Sequence, residues 1–160
     1  VLIRAVRKKD IPAIARLYYD TVQEVNARDY TPAQIQAWAP VVHADSFWAS
    51  RFRGRHVFVA EAKGVIIGFA EFENTGHIDC FYVHHQWQGC GVGSRLIRRI
   101  AIEARRHGAP SLFADVSVTA RPFFQNQGFK VIKRQSKRYR GCRFRQFFMR
   151  KTLVRPPYES

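Results

Sequence analysis

Gln88-Gly89-Cys90-Gly91-Val92-Gly93, followed at once by Ser94-Arg95-Leu96-Ile97, is the stretch whose residue types point most directly to chemistry. It follows an apolar run from Ile78 to Val83 that reads as a strand, and it opens a segment with helical periodicity. Glycines in alternate positions let the backbone turn sharply and bring several N–H groups toward one point with no side chains in the way. A helix beginning there adds its unpaired first-turn N–H groups and the positive end of its dipole. Such a turn is a socket for a phosphate or pyrophosphate.

The elements that must position this turn follow from periodicity. A short strand over 2–6 leads to Asp10, which reads as a helix cap, with Pro12 in the first turn where its missing N–H is no loss. Ile11, Ile14, Leu17, Tyr18, Val22 and Val25 then keep to one helical face. Thr31-Pro32 restarts the helical pattern, Pro40 stops it, and a third short helical piece follows Asp45-Ser46. The period then changes. Runs over 56–62 and 65–73 are β-rich and joined at Lys63-Gly64, and Asn74-Thr75-Gly76 turns the chain into a third run over 77–84. After the glycines, Leu96, Ile97, Ile100, Ala101 and Ala104 form an apolar stripe that His107-Gly108 closes. A strand over 112–118, a short helix over 120–127 and a final strand pair over 129–136 and 142–153 complete the pattern.

Length and composition bound the alternatives. A chain of 160 residues reads as one domain over 1–155 with a loose tail over 156–160. A hydrophobic content of 46% places it among globular rather than disordered chains. No apolar run is long enough to span a membrane, and the first residues alternate like a strand rather than forming a signal peptide. Cys80, Cys90 and Cys142 are odd in number and lack C-x-x-C spacing, which favours a reducing cytoplasmic setting. No spacing among the six histidines suggests a metal site. The net charge of +15 is concentrated late: from Val116 to Tyr158 there is no Asp or Glu. Such a field attracts anions, among them phosphorylated cofactors and nucleic acid.

Taken together, these residues resemble the GCN5-related N-acetyltransferase (GNAT) family over nearly the whole chain. Gln88-x-x-Gly91-x-Gly93 is similar to the family's [Q/R]-x-x-G-x-[G/A] turn, and Ala120-Arg121-Pro122-Phe123-Phe124 through Gly128-Phe129 to its A-x-x-F-Y-x-x-x-G-F segment. Trp38-Ala39, the Phe123-Phe124 pair and the basic run from Cys142 to Met149 look most like the small bacterial YafP-like group. The resemblance implies an α/β (α+β) GNAT fold, with a mixed, mostly antiparallel sheet of six to seven strands flanked by about four helices. It also implies direct transfer from acetyl-CoA to an amine of a small molecule or peptide in a ternary complex. Gln88, Gly89, Cys90, Gly91, Val92, Gly93 and Ser94 would then grip the pyrophosphate, and Phe81, Tyr82 and Val83 would pair with the pantetheine arm. Two positions depart from the family. Phe124 stands where a tyrosine usually reprotonates the CoA thiolate, and Ser117 replaces a CoA-contacting asparagine. Phenylalanine donates no proton, so the role is either left to solvent or filled from elsewhere, with Tyr82 and Tyr139 the nearest substitutes by sequence logic.

The attacking amine must be uncharged, so a proton acceptor is needed. Strict alternation would put His77, Asp79, Phe81 and Val83 on one face of the strand and Ile78, Cys80, Tyr82 and His84 on the other. Asp79, which breaks an apolar run, is the first candidate base, and His77 the second. Each also has a plain reading, Asp79 as an arginine partner and His77 as a turn-flanking surface residue. Tyr30 and Trp38 fall in the helical region that walls the acceptor site in this family. Cys90 could be a helix-terminal nucleophile, although the resemblance makes it a small filler.

Two other classes compete. A dinucleotide-binding enzyme would need glycine at position 94, where serine stands, and βαβ units where antiparallel hairpins are read. A P-loop lacks its lysine before Ser94. A nucleic-acid module would use Tyr139, Phe144, Phe147 and Phe148 among the late arginines. The charge favours neutral or acidic acceptors over polyamines, and a homodimer stays open.

Overall fold

The computed structural model describes residues 1–153. The tail expected over 156–160 lies outside them. In chain order the elements are β1 (Leu2–Ala5), α1 (Ile11–Glu24), α2 (Pro32–Trp38), α3 (Asp45–Arg51), β2 (His56–Ala62) and β3 (Val65–Phe72). They continue as β4 (Ile78–Val83), α4 (Val92–Arg106), β5 (Ser111–Ser117), α5 (Arg121–Asn126), β6 (Lys130–Tyr139) and β7 (Cys142–Thr152).

The strands form two antiparallel sheets, ordered β1-β2-β3-β4 and β5-β7-β6. A parallel bridge between His77 and Phe113 joins them, and the Phe113 N–H donates to the Gly76 carbonyl at 3.0 Å. Beyond that bridge β4 and β5 are unpaired and a cavity opens between them.

The period-2 alternation of the strands and the stripe on α4 decide the layers. Phe58 and Ala60 of β2 turn toward α4, whereas Val59 turns to the opposite face. On the α4 side, Leu96, Ile97 and Ile100 pack with Phe72 of the first sheet and with Leu112 and Met149 of the second. One helix thus spans both sheets and holds them together past the bridge. On the far face of the first sheet, Ile14 and Leu17 of α1 and Trp48 of α3 bury Val59, Phe69 and Cys80. α2 rests against α1 through Ile35, Val22 and Ala39.

Thr31 caps α2: its hydroxyl accepts from Gln34 N–H at 3.2 Å, and the Gln34 side chain accepts from Thr31 N–H at 2.8 Å. The β6–β7 hairpin lies across α2, where Gln34 Nε2 donates to the Arg143 carbonyl at 2.8 Å and Arg140 donates to the Ala37 carbonyl at 3.2 Å. Asp10 precedes α1 but its side chain does not cap it. Its carboxylate instead receives two hydrogen bonds from Arg4, at 2.8 and 3.0 Å, and one from the Arg7 N–H at 2.7 Å. A buried guanidinium pair outcompetes a local cap because it leaves neither charge alone.

The Arg4 hydrogen bonds hold the Asp10 carboxyl below its ordinary range despite burial. Stability from such a group is present above its unfolded pKa and fades as pH falls through the folded value. Asp10→Asn should therefore lose about 2 kcal/mol at neutral pH, read as a lower urea midpoint. It should also show a shallower loss of stability on acidification below about pH 4. An acid slope equal to that of the parent chain would show that Asp10 carries no such linkage.

Candidate functional site

The glycine turn sits at the mouth of the cavity, which has a volume of about 680 Å³. Gly89 and Gly91 hold φ of +71° and +82°, left-handed values that other residues adopt only with strain, and no atom lies within 4 Å of a Cβ added at either. Among the described residues, no backbone carbonyl accepts from the N–H groups of Gly89 through Ser94. The Gln88 side chain bends back and donates from Nε2 to the Val83 carbonyl at 2.7 Å, pinning the turn to β4. Gly93 has a different job. A Cβ there would lie 2.7 Å from the Phe123 ring, so its absence lets α5 close against the first turn of α4. Gln127, which the sequence did not single out, ties the same two helices by donating to Ser94 Oγ at 2.8 Å.

β4 supplies the cavity's other wall, and its geometry departs from strict alternation. Glu71 pairs with Cys80 and Phe72 with Ile78, so Asp79 is an extra residue in a β-bulge. Ile78 consequently shares the α4 side with Phe81 and Val83, and Cys80 and Tyr82 face α1 and α3. Asp79 does not project beside Phe81 as alternation required. It is instead held by Arg55 at 2.5 Å and Arg51 at 2.9 Å. Burial pushes its carboxyl up, but the two arginines outweigh that and leave it below the ordinary range. The same arginines serve Glu71, whose Oε2 accepts from Arg51 Nε at 2.8 Å. Glu71 is the fully buried acid of the pair, and burial raises its pKa despite Arg51. Its position inside the apolar 65–72 run was the signal that could have found it.

His77 stands apart from the cavity. Its ring stacks on Phe113 at 5.3 Å, and Nδ1 lies 3.2 Å from Glu73 Oε1. Tyr30 and Trp38 line the cavity, and Tyr18, Phe47, Trp48 and Tyr82 line it with them. Tyr82 packs on Phe69 at 5.7 Å and edge-on to Tyr18 at 4.8 Å, and Tyr18 meets Trp48 at 5.1 Å. Burial pushes the phenols of Tyr18 and Tyr82 up, so both keep their protons at neutral pH. Trp38 meets Tyr30 at 5.3 Å and Phe144 at 6.0 Å. The Tyr30 hydroxyl accepts from the Val118 N–H at 2.9 Å, which makes it a strut between the loop before α2 and the end of β5. Tyr139 lies exposed on the β6–β7 hairpin beside Arg140, and with Lys137 and Arg138 it lines the rim of the cavity. Asp115 on β5 is paired with Lys137 and with Gln135.

The family scan matches residues 26–153 to the acetyltransferase (GNAT) domain. The chain belongs to the GNAT family. It is 29% identical over 151 residues to the uncharacterized N-acetyltransferase YafP of Escherichia coli (strain K12), covering 94% of this chain and 95% of that protein. It is 35% identical over 127 residues to the L-amino acid N-acyltransferase MnaT of the same organism, covering 71% and 69%. A crystal structure of a GCN5-related N-acetyltransferase from Rhodopseudomonas palustris superposes with a TM-score of 0.89 at 30% identity, covering 95% of each chain. This GNAT chain is therefore YafP-like and an acyl-CoA-dependent N-acetyltransferase, and acetyl-CoA is the donor the family implies.

The two departures from the GNAT pattern now have surroundings. Phe124 is buried among Phe81 at 5.5 Å, Phe123 at 5.4 Å and Phe129 at 5.0 Å, an apolar cluster with no proton to give. Ser117 Oγ accepts from the Ala120 N–H at 3.1 Å, so its hydroxyl organises the entry to α5. Cys90 is exposed, with its thiol 3.6 Å from the Gln88 carbonyl. Phe144 and Phe147, which a nucleic-acid surface would present, are buried. His56, far in the chain from Glu103 and His107, converges with them from a second element at the other end of α4.

With two arginines fixing its charge, Asp79 is a weak proton acceptor. Asp79→Asn should keep kcat/KM within about tenfold of the parent and leave the acid limb of the pH profile in place. A loss of about 10²–10⁴-fold is what removal of a general base would give.

Proposed function

We propose that the chain transfers an acetyl group directly from acetyl-CoA to the amine of a small amino acid or a compound resembling one. The observation that carries the donor half is the undonated row of N–H groups from Gly89 to Ser94, at the N-terminus of a 15-residue helix and beside the unpaired edge of β4. These residues fit a pyrophosphate: the positive helix end and free donors meet its charge, and no side chain at Gly89 or Gly91 fills the space. Phe81, Tyr82 and Val83 would then offer main-chain groups to the pantetheine arm and an N–H to the thioester carbonyl.

The acceptor half rests on the cavity wall. Tyr18, Trp38, Phe47, Trp48 and Tyr82 line it, together with Arg51 and Arg138. The aromatic faces displace water from the amine, and the cations favour an acceptor bearing a carboxylate over a polyamine. MnaT, an L-amino acid N-acyltransferase, is consistent with that class.

The proton balance is simple. From the ammonium form the nitrogen loses two protons, one before attack and one on amide formation, while the CoA sulfur takes up one, so one proton is released to solvent. The carboxylates on the wall, Asp79 and Asp115, are both held in ion pairs. The proton therefore leaves through water, and Tyr82, protonated and close to Tyr18, orients the amine through its hydroxyl.

Gly91→Asp should remove acetyl-CoA binding, by at least about 100-fold in calorimetry, because it places a strained backbone and a negative charge in the socket. Retained affinity would move the cofactor elsewhere. Steady-state assays of CoA release across L-amino acids, peptide N-termini and polyamines test the acceptor. Turnover should be confined to the first group, and a polyamine preference would overturn the charge argument. Tyr82→Phe should raise KM for the acceptor severalfold with donor affinity unchanged.

A further inference from the structure

The end of α4 farthest from the glycine turn carries a second cluster with ligand chemistry. His56 at the start of β2, Glu103 in the last turn of α4 and His107 just past it each offer a donor atom, and these atoms lie within 4.8 Å of one another. None of the three lines the acyl-transfer cavity.

We propose that His56, Glu103 and His107 form a binding site for a divalent transition metal of the zinc class. Glu103 Oε1 and His107 Nε2 stand 3.4 Å apart. Ligands each roughly 2.0–2.1 Å from a tetrahedral zinc are separated by about 3.3 Å, so this pair already spans one edge of such a site. The i,i+4 spacing on α4 fixes that edge. His56 comes from a different element and its ring is held on two sides. It stacks on Phe72 at 5.0 Å, and Nε2 is hydrogen-bonded to Asn74 Oδ1. A carbonyl oxygen on one ring nitrogen fixes the tautomer and leaves the lone pair on the other, the usual outer support of a metal-binding imidazole. The His56 and His107 rings approach to 4.9 Å between centroids.

The surroundings select the ion. His107 follows the C-terminus of α4, where the negative end of the helix dipole attracts a cation. Arg106 lies 3.4 Å from Glu103 Oε2, which leaves Oε1 as the free oxygen and makes the carboxylate monodentate. Calcium and magnesium require several oxygen ligands, and one carboxylate on a chain of net charge +15 gives them little. Two imidazoles and one carboxylate suit zinc, nickel or copper, with water in the fourth position. The ion would tie β2, the turn after β3 and the end of α4 together, and would stabilise the folded chain by mass action.

The test is calorimetric titration of zinc chloride into the EDTA-treated full chain, in a Cys90→Ser background so that the exposed thiol does not compete. Thermal melts are run alongside. One equivalent should bind and raise Tm. Glu103→Gln and His107→Ala should each weaken binding by at least about tenfold and abolish the Tm rise. Asn74→Ala should weaken it by roughly tenfold through the outer hydrogen bond. Glu103→Gln keeps the shape of the helix face, so loss of binding with an unchanged metal-free Tm separates ligation from misfolding. No zinc heat, or equal affinity in Glu103→Gln and His107→Ala, would overturn the proposal.

Discussion

The join between the two sheets is the constraint on which the remaining structure depends. β4 and β5 touch through the His77–Phe113 bridge and are unpaired beyond it. A strand edge inside a protein leaves backbone donors and acceptors that need partners. Such a gap survives only if other contacts hold the strands at a fixed separation and a ligand or water meets the exposed groups. Here α4 provides the first condition, since Ile97, Ile100 and their neighbours share one core with both sheets. The cavity provides the second. The glycines then act as spacers. A Cβ at Gly68 would come 3.2 Å from the Tyr82 carbonyl and 3.4 Å from Val92 and Leu96, so the bare backbone lets the start of α4 sit directly over β3 and β4. Gly93 does the same for Phe123. The N-terminus of α4 is thereby set against the open edge by close contact, and the Gln88–Val83 hydrogen bond fixes the turn between them.

Charge is arranged on the same principle. The chain carries a large positive excess, yet the acids near the cavity are not free. Asp79 shares Arg51 and Arg55 with Glu71, and Asp115 is paired with Lys137. Charges taken partly out of water are tolerable when paired, and removing one partner is far costlier than never having had the pair. The cluster of Arg51, Arg55, Glu71 and Asp79 therefore braces the bulge in β4 and keeps its charges balanced at the cavity wall. A bulge at Asp79 turns its carboxylate toward those arginines, so the shape of the strand and the state of the carboxylate have one cause.

Much of this was readable in the residues. Turn chemistry at Lys63-Gly64, the helix restart at Thr31-Pro32, and the stripe from Leu96 to Ala104 each draw on neighbours within one turn or hairpin, so local rules sufficed. The glycine turn was legible for the same reason. What escaped came from contacts between distant parts of the chain. Strict alternation failed at Asp79 because a bulge depends on the partner strand, which a single run does not reveal. Asp10 left its cap because Arg4 competed for it. Glu71 interrupts an apolar run as Asp79 does, but that it is the fully buried acid of the two follows only from the packing of α3 on the sheet. His56 and His107 lie 51 positions apart, and pattern reading along the chain has no means of joining them.

The phenylalanine at position 124 shows where the chemical demand of the site falls. A thiol has an ordinary pKa of about 8.5, so near neutral pH a thiolate leaves and is reprotonated without a strong internal acid. An aliphatic amine is far more basic and is present almost wholly as the unreactive cation. Help is therefore worth more at the nitrogen than at the sulfur. The residues follow that order. Phe124 itself is packed against the rings of Phe81, Phe123 and Phe129, whereas on the side proposed for the acceptor the protonated phenols of Tyr18 and Tyr82, the indole of Trp38 and the Arg51 guanidinium line the cavity. Poor solvation would lower the pKa of an amine bound there. For the acceptor class proposed above, the same arrangement of side chains would disfavour a polycation and make a single amine easier to deprotonate.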